Sequence, residues 1–297
     1  MNFWTFMTHS FFRELIALFQ SLILTFSPGG FPRVPHEEDF DLVWSDEFDG
    51  DGLDTAKWHG HGCDSGATIR RGSYWSTSVL RVEDGCLHIP TEYYPDGLNG
   101  NGKPGWYTCG IDTSGLYYQR YGYFEVRCIL PKGAGLWAAF WMLCGGMSHV
   151  DGTGLDGAEI DIFESPFSTD KYSRRVSSNI HIDGYGEDLK SMHVCEPYIL
   201  INDPYEEFNT YGLEWNEYGY TFYVNGIKTG ESDFGGASQT PEYMILSVEV
   251  GGENAEPGAS WASGALSAED APTDFIIDYV RAYQYKPGAE PAADLPC

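Results

Sequence analysis

Positive charge is what this chain has least of. Lys and Arg total 17 against 44 Asp and Glu, a formal net charge of −27. Such a chain repels nucleic acid and anionic membranes, which argues against polyanion partners. It also argues against sulfated polysaccharides unless a cleft is locally basic. A disulfide framework is lacking too. The seven cysteines, at 63, 86, 109, 128, 144, 195 and 297, form no CxxC pair, and the odd number leaves at least one thiol free. Cys128 and Cys144 fall in apolar strands and read as buried hydrophobes, which points to a reducing or anaerobic setting. The N-terminal apolar run, LIALFQSLILTF at 15–26, is too short to cross a bilayer. It reads either as a signal-like segment, implying a secreted or cell-surface protein, or as an amphipathic helix docked on the domain or a membrane surface. A cytoplasmic location is the alternative. Internal repeats, low-complexity blocks and long helical periods are absent beyond it.

What remains is rich in turns and aromatics. There are 36 Gly and 20 Tyr, and short strand-like runs alternate with turn signals, the pattern of an all-β sandwich or barrel. Asn225-Gly226 after an alternating apolar run marks a tight hairpin. Pro28, Gly29, Gly30, Pro32 and Pro35 mark a linker. The organisation expected is a segment 1–38, one domain over 39–286, and a tail over 287–297.

The stretch Glu159-Ile160-Asp161-Ile162-Phe163-Glu164 holds three carboxylates between large apolar side chains. The β-branched residues favour a buried strand. On a strand Glu159 and Asp161 share a face, whereas plain alternation would send Glu164 into the core. A lone buried carboxylate there costs several kcal/mol, roughly 2–7 on transfer scales. A β-bulge near Phe163 restores the parity and lines up all three acids. Glycoside hydrolysis needs such a set: one carboxyl group protonates the leaving oxygen while a second attacks the sugar or activates water. Crowded like charges raise at least one pKa, as an acid catalyst requires.

GAEIDIFES resembles the E-x-D-x-x-E active-site strand of glycoside hydrolase family 16, the laminarinase-like endo-glucanases. VWSDEFDGDGLDTAKW (43–58), the run 107–143 ending GLWAAFWML, FNTYGLEWNEYGYTFYVNG (208–226), MILSVEVGG (244–252) and FIIDYVRAYQY (275–285) resemble further family landmarks in the same order. Two departures, Ala138 where the family usually has Pro and Ser247 where Asn is common, bear on subsite shape. The resemblance implies a β-jelly roll of two curved antiparallel sheets with a concave cleft. It implies an endo-acting, retaining hydrolase of β-1,3- or mixed-linkage β-1,3-1,4-glucan, with Glu159 as nucleophile, Glu164 as acid/base and Asp161 tuning the pair. Agarase- or carrageenase-like galactan hydrolases, a transglycosylase, and a non-catalytic glycan-binding module are the alternatives. The partner expected is the polysaccharide, bound by a monomer.

Strand parity places Trp137 and Trp141 on the cleft face, with Leu136, Phe140 and Met142 in the core. It likewise places Asn179, His181 and Asp183 toward the cleft. The resemblance supports sugar stacking for the tryptophans and a supporting role for His181. Arg71 and Trp106 are further candidates at the border of the cleft. No cofactor is expected for catalysis. The resemblance implies a structural calcium on the convex side, at Glu47, the Gly85 carbonyl and Asp278. Finally, His59, His61 and Cys63 would share a face on a strand and suit a soft metal, although Gly60 and Gly62 favour a loop.

Overall fold

The computed structural model describes residues 34–166, 174–194, 198–200, 202–258, 264–267 and 272–289. The N-terminal apolar run and most of the tail lie outside them. Two sheets carry the fold. The larger runs Ile227–Ser232, Gly219–Val224, Asn209–Asn216, Gly122–Ile129, Thr273–Tyr285, Cys86–Tyr94, Gly105–Thr108, Ser73–Trp75 and Thr68–Arg70, with Phe40–Asp46 paired onto Thr273–Tyr285 and Arg81–Glu83 onto Cys86–Tyr94. The smaller runs Lys190–His193, Arg175–Ile182, Glu159–Glu164, Leu136–Leu143, Tyr243–Val250, Gly110–Asp112 and His59–Gly60, with Tyr198–Ile199 off its edge. This is the expected jelly-roll sandwich. Pairing is antiparallel except between Ser73–Trp75 and Gly105–Thr108, which run parallel. Helical structure among the described residues is confined to 3₁₀ turns of three or four residues, and none of it is long and apolar enough to cross a membrane.

Alternation explains the core. Leu136, Ala138, Phe140 and Met142 point between the sheets, as do Ile160, Ile180, Leu246 and Val248 from their neighbours. Phe124, Val126, Leu213, Trp215, Phe275 and Ile277 meet them from the larger sheet. Each such side chain contributes about 1.5–3 kcal/mol by leaving water. The hairpin at Asn225-Gly226 has both residues at positive φ, 52° and 73°, and joins Val224 to Ile227. That is the two-residue turn whose twist suits antiparallel strands. Cys128 and Cys144 are buried thiols, as expected, and so are Cys63, Cys86 and Cys109.

Phe163 is central to this packing. Its ring lies 4.2 Å from that of Tyr211 and 6.2 Å from that of Phe275, both on the larger sheet. Replacing Phe163 with Ala is expected to cost about 3–5 kcal/mol. The denaturant midpoint should fall with an unchanged m-value, and a loss under about 1 kcal/mol would contradict the packing described.

Candidate active site

The ladder around Glu159–Glu164 is irregular on both sides. Against Leu136–Leu143, Asp161 pairs with Trp141 and Phe163 with Phe140, leaving Ile162 without a partner. Against Arg175–Ile182, Asp161 pairs with Asn179 and Glu164 with Ser177, so Ile162 and Phe163 together oppose Ser178. The Ser178 hydroxyl donates to the Ile162 carbonyl at 2.9 Å, satisfying the backbone at the bulge. Ile162 and Phe163 both enter the core. Glu164 is thereby returned to the face of Glu159 and Asp161, as the sequence predicts.

Cross-strand register lays out that face. One row reads Asn179, Asp161, Trp141, Ile245, Asp112, His59. The next reads Ser177, Glu164, Ala139, Ser247, Gly110. His181 lies opposite Glu159, and Trp137 opposite Glu249. Ala139, Trp141 and Ile245 form a small apolar cluster with Trp137, Leu143 and Tyr243, separate from the main core.

Each acid has its own partners. Glu164 accepts from the Trp137 indole N–H at 2.8 Å and from the Asn179 amide. His193 meets the Asn179 carbonyl oxygen at 2.6 Å and so orients that amide. The Tyr185 hydroxyl donates to Glu159. The His181 Nε2 lies 3.1 Å from Asp161 Oδ2 and 3.9 Å from Glu159 Oε1. The Asp161 contact is electrostatic, since no donor is aligned on Oδ2. Burial pushes the Glu164 carboxyl well above the ordinary range, and the negative charges of Asp161 and Glu159 push it further. Asp161 is raised for the same reasons, burial first and then Glu159. Burial raises Glu159 too, opposed by the Tyr185 hydroxyl and His181. Burial and crowding thus favour proton retention across the array, most strongly at Glu164 and Asp161, while the donors on Glu159 and Glu164 oppose it.

The remaining expected residues divide. Trp137 is half-buried beside Glu164, whereas Trp141 is 9% exposed, with its N–H donated to Ser247 Oγ at 3.1 Å. Arg71 reaches the face by pairing with Glu249, which Arg70 also binds. Trp106 needs correction. Strand Gly105–Thr108 sits within the larger sheet and is buried at every residue, and Trp106 packs in the main core at 5% exposure. Asp183 is also corrected: its carboxylate turns to the Asp151 and Gly152 amides and to Lys190. The calcium set does not fit either. Glu47 is gripped by two nitrogens of Arg281, at 2.9 and 2.7 Å, and Asp278 is paired with Arg127. Gly85 is a turn residue at φ 73°. Among the described residues, the groups able to converge on an ion are His149, Asp151 and Asp156, and Glu159, Asp161 and His181, neither of which includes Glu47 or Asp278. The His59, His61 and Cys63 trio also diverges, because both histidines turn to Asp112 and Cys63 packs on Cys109 at 3.9 Å.

Sequence reasoning missed Tyr185, Glu249 and Glu242. The last is wholly buried behind the catalytic strand, accepting the Ala158 N–H at 3.2 Å with one oxygen and leaving the other unpaired. Burial raises its pKa to about 8. Its folded state therefore holds a proton that the unfolded chain releases near pH 4.5, so this group's contribution to stability declines between pH 4.5 and 8. Glu242→Gln is expected to gain on the parent by up to about 1.4 kcal/mol per pH unit across that window and to gain nothing further above it. Melting curves at stepped pH check this, and parallel stability profiles would contradict it.

Comparisons with known proteins agree with the geometry. The family model described as "Beta-porphyranase A-D, GH16 domain" matches residues 41–285. The chain is 29% identical over 289 residues to the glucan endo-1,3-beta-glucosidase A1 of Niallia circulans, covering 86% of this chain but only 39% of that protein. It is 28% identical to the beta-glucanase of Rhodothermus marinus, covering 85% of this chain and 87% of that one. In three dimensions it is similar to the laminarinase catalytic domain of Thermotoga maritima, with a TM-score of 0.64 at 28% identity, over 84% of this chain and 100% of that one. With the bulged three-acid strand and a match over nearly all the described sandwich, the chain belongs to glycoside hydrolase family 16.

Proposed function

We propose that this protein is an endo-acting, retaining glycoside hydrolase that cleaves β-1,3- or mixed-linkage β-1,3-1,4-glucan by double displacement. The observation that carries the reading is the bulge at Ile162-Phe163, which puts Glu159, Asp161 and Glu164 on one open face. Glu164, held protonated by its surroundings, donates to the glycosidic oxygen as the bond breaks. Glu159 attacks the anomeric carbon and forms a glycosyl-enzyme. Deprotonated Glu164 then takes a proton from the water that releases the sugar. Asp161 lies between them and, with His181, adjusts the charge around Glu159 at each stage. Trp137 keeps the Glu164 carboxyl in place while offering part of its ring to a sugar.

Arg70 and Arg71 share the one carboxylate of Glu249 at the border of the face, so at most a single unbalanced positive charge meets a ligand there, which favours a neutral glucan over a polyanion. The relatives named for glucan hydrolysis point the same way. A galactan is the second reading, supported by the porphyranase name of the matching family model.

Two experiments test this. Glu159→Ala is expected to lose turnover and to regain it with azide as an α-glycosyl azide. Glu164→Ala should fall by about 10²–10⁴-fold on polysaccharide and yield the β-azide. Swapped anomers would reverse the two roles. Separately, size analysis of products from laminarin, lichenan, agarose and carrageenan should show oligosaccharides from the first two. Products from agarose or carrageenan alone would establish the galactan reading. Products longer than an oligosaccharide input would indicate transfer, and binding without products would indicate a glycan-binding module.

A further inference from the structure

The two histidines that turn to Asp112 lie at one end of the same face. Asp112 is 3% exposed and faces three donors. The Ser114 N–H reaches Oδ1 at 2.8 Å, His59 Nε2 lies 3.1 Å from the same oxygen, and His61 Nδ1 lies 2.6 Å from Oδ2. Burial opposes ionisation of Asp112, but the hydrogen bonds from His61 and Ser114 outweigh it and hold the carboxyl below its usual range. An ionised carboxylate only accepts, so His61 Nδ1 carries a proton.

The two rings then differ. His59 has acceptors at both nitrogens, since Nδ1 meets the Gly60 carbonyl and Asp64, at 3.2 Å each, and Nε2 meets the Ser114 carbonyl at 2.8 Å. Burial opposes a charge on His59, yet the Ser114 and Gly60 carbonyls and Asp112 together favour the protonated ring. His61 Nε2 has no hydrogen-bond partner among the described residues, and 26% of the side chain stays exposed. With Nδ1 donating to Asp112, the Nε2 of a neutral His61 ring is an acceptor.

The surroundings of that ring are those of a sugar site. His61 lies edge-on to Trp141, with centroids 5.8 Å apart, and to Trp75 at 6.0 Å. Both indoles are fixed, Trp141 on Ser247 and Trp75 on the Val248 carbonyl at 2.8 Å. Trp141 is the cross-strand neighbour of Asp161, so the His61 ring touches a side chain one strand from the acids, although its own backbone follows the strand His59–Gly60, four strands away. The His61 N–H donates to the Gly110 carbonyl at 2.8 Å, which anchors the loop to the sheet.

We propose that His61 is a substrate-binding residue, whose Nε2 accepts a hydrogen bond from a hydroxyl of an uncharged hexose seated beside Trp141 in the arm of the site that leads toward Trp75. Asp112 is its positioning residue. A hydroxyl is the donor the site selects, because an acceptor-only substituent such as a sulfate ester offers Nε2 nothing. The inference rests on the reading of this face as a glycan site and specifies which sugars it takes.

The test uses the full-length protein with Glu159→Gln, which holds glycan without consuming it. Calorimetric titration with laminarihexaose, a mixed-linkage hexasaccharide and agarohexaose identifies the ligand it binds. Adding His61→Ala is expected to weaken that binding about five- to tenfold, the worth of one neutral hydrogen bond. Adding His61→Gln, which can donate to Asp112 and still accept, should restore most of it. In ¹⁵N spectra of the free protein the His61 proton should sit on Nδ1, and Asp112→Asn should shift the tautomer and weaken binding as His61→Ala does. Unchanged affinity in the Ala variant overturns the proposal. So does an equal loss in Ala and Gln variants accompanied by lowered melting temperatures, which would mark His61 as structural. Failure of the Glu159→Gln protein itself to bind any of the three would instead sink the glycan reading, and this inference with it.

Discussion

A single unpaired residue governs this site. In a regular ladder the sixth position of Glu159–Glu164 would project between the sheets, where an unpartnered carboxyl group is costly. The chain avoids this by driving two successive apolar side chains, Ile162 and Phe163, into the same core. Their burial opposes any return to a regular register, and Ser178 satisfies the carbonyl that the irregularity would orphan. The geometry of the acids is therefore maintained from behind, by hydrocarbon contacts with Tyr211 and Phe275 on the opposite sheet. Catalytic alignment and core packing are two faces of one constraint.

On the open side, the carboxyl groups are managed with neutral donors. Trp137 and Asn179 serve Glu164, and Tyr185 serves Glu159. The arginines stand a strand pair away and are occupied by Glu249. Crowding among the acids is consequently relieved by holding protons, with His181 as the adjacent titratable partner. That is the state from which a general acid must begin. A guanidinium in direct contact would instead have favoured ionised acids and removed the donor.

Much of this was legible in the residues. Parity alone put Trp137 and Trp141 on the face of the acids and Phe140 and Met142 behind it, and the need to avoid a buried Glu164 located the bulge to within a residue. The Asn-Gly turn required only local chemistry. What escaped was non-local. Trp106 looked like a border residue because its strand is short and aromatic, and nothing in four residues reveals that the strand lies inside the larger sheet with every side chain buried. Tyr185 reaches Glu159 from a turn beyond the strand, where periodicity no longer applies. Glu249 sits in a run that reads as an ordinary apolar strand, and only the arginines 178 and 179 positions away disclose its role. The calcium expectation failed for the same reason: Arg127 and Arg281 lie 151 and 234 positions from the carboxylates they occupy.

The arginine pairings have a wider consequence. The chain has few cations, and Arg70, Arg71, Arg81, Arg127 and Arg281 are all ion-paired within the fold, Arg70 and Arg71 sharing Glu249. The unmatched acids dominate what the solvent meets. Two copies therefore repel one another over roughly the 10 Å Debye length at 0.1 M salt, and an uncharged polymer gel offers no such opposition. At low salt that charge opposes approach to a polyanionic matrix more than entry among neutral fibres.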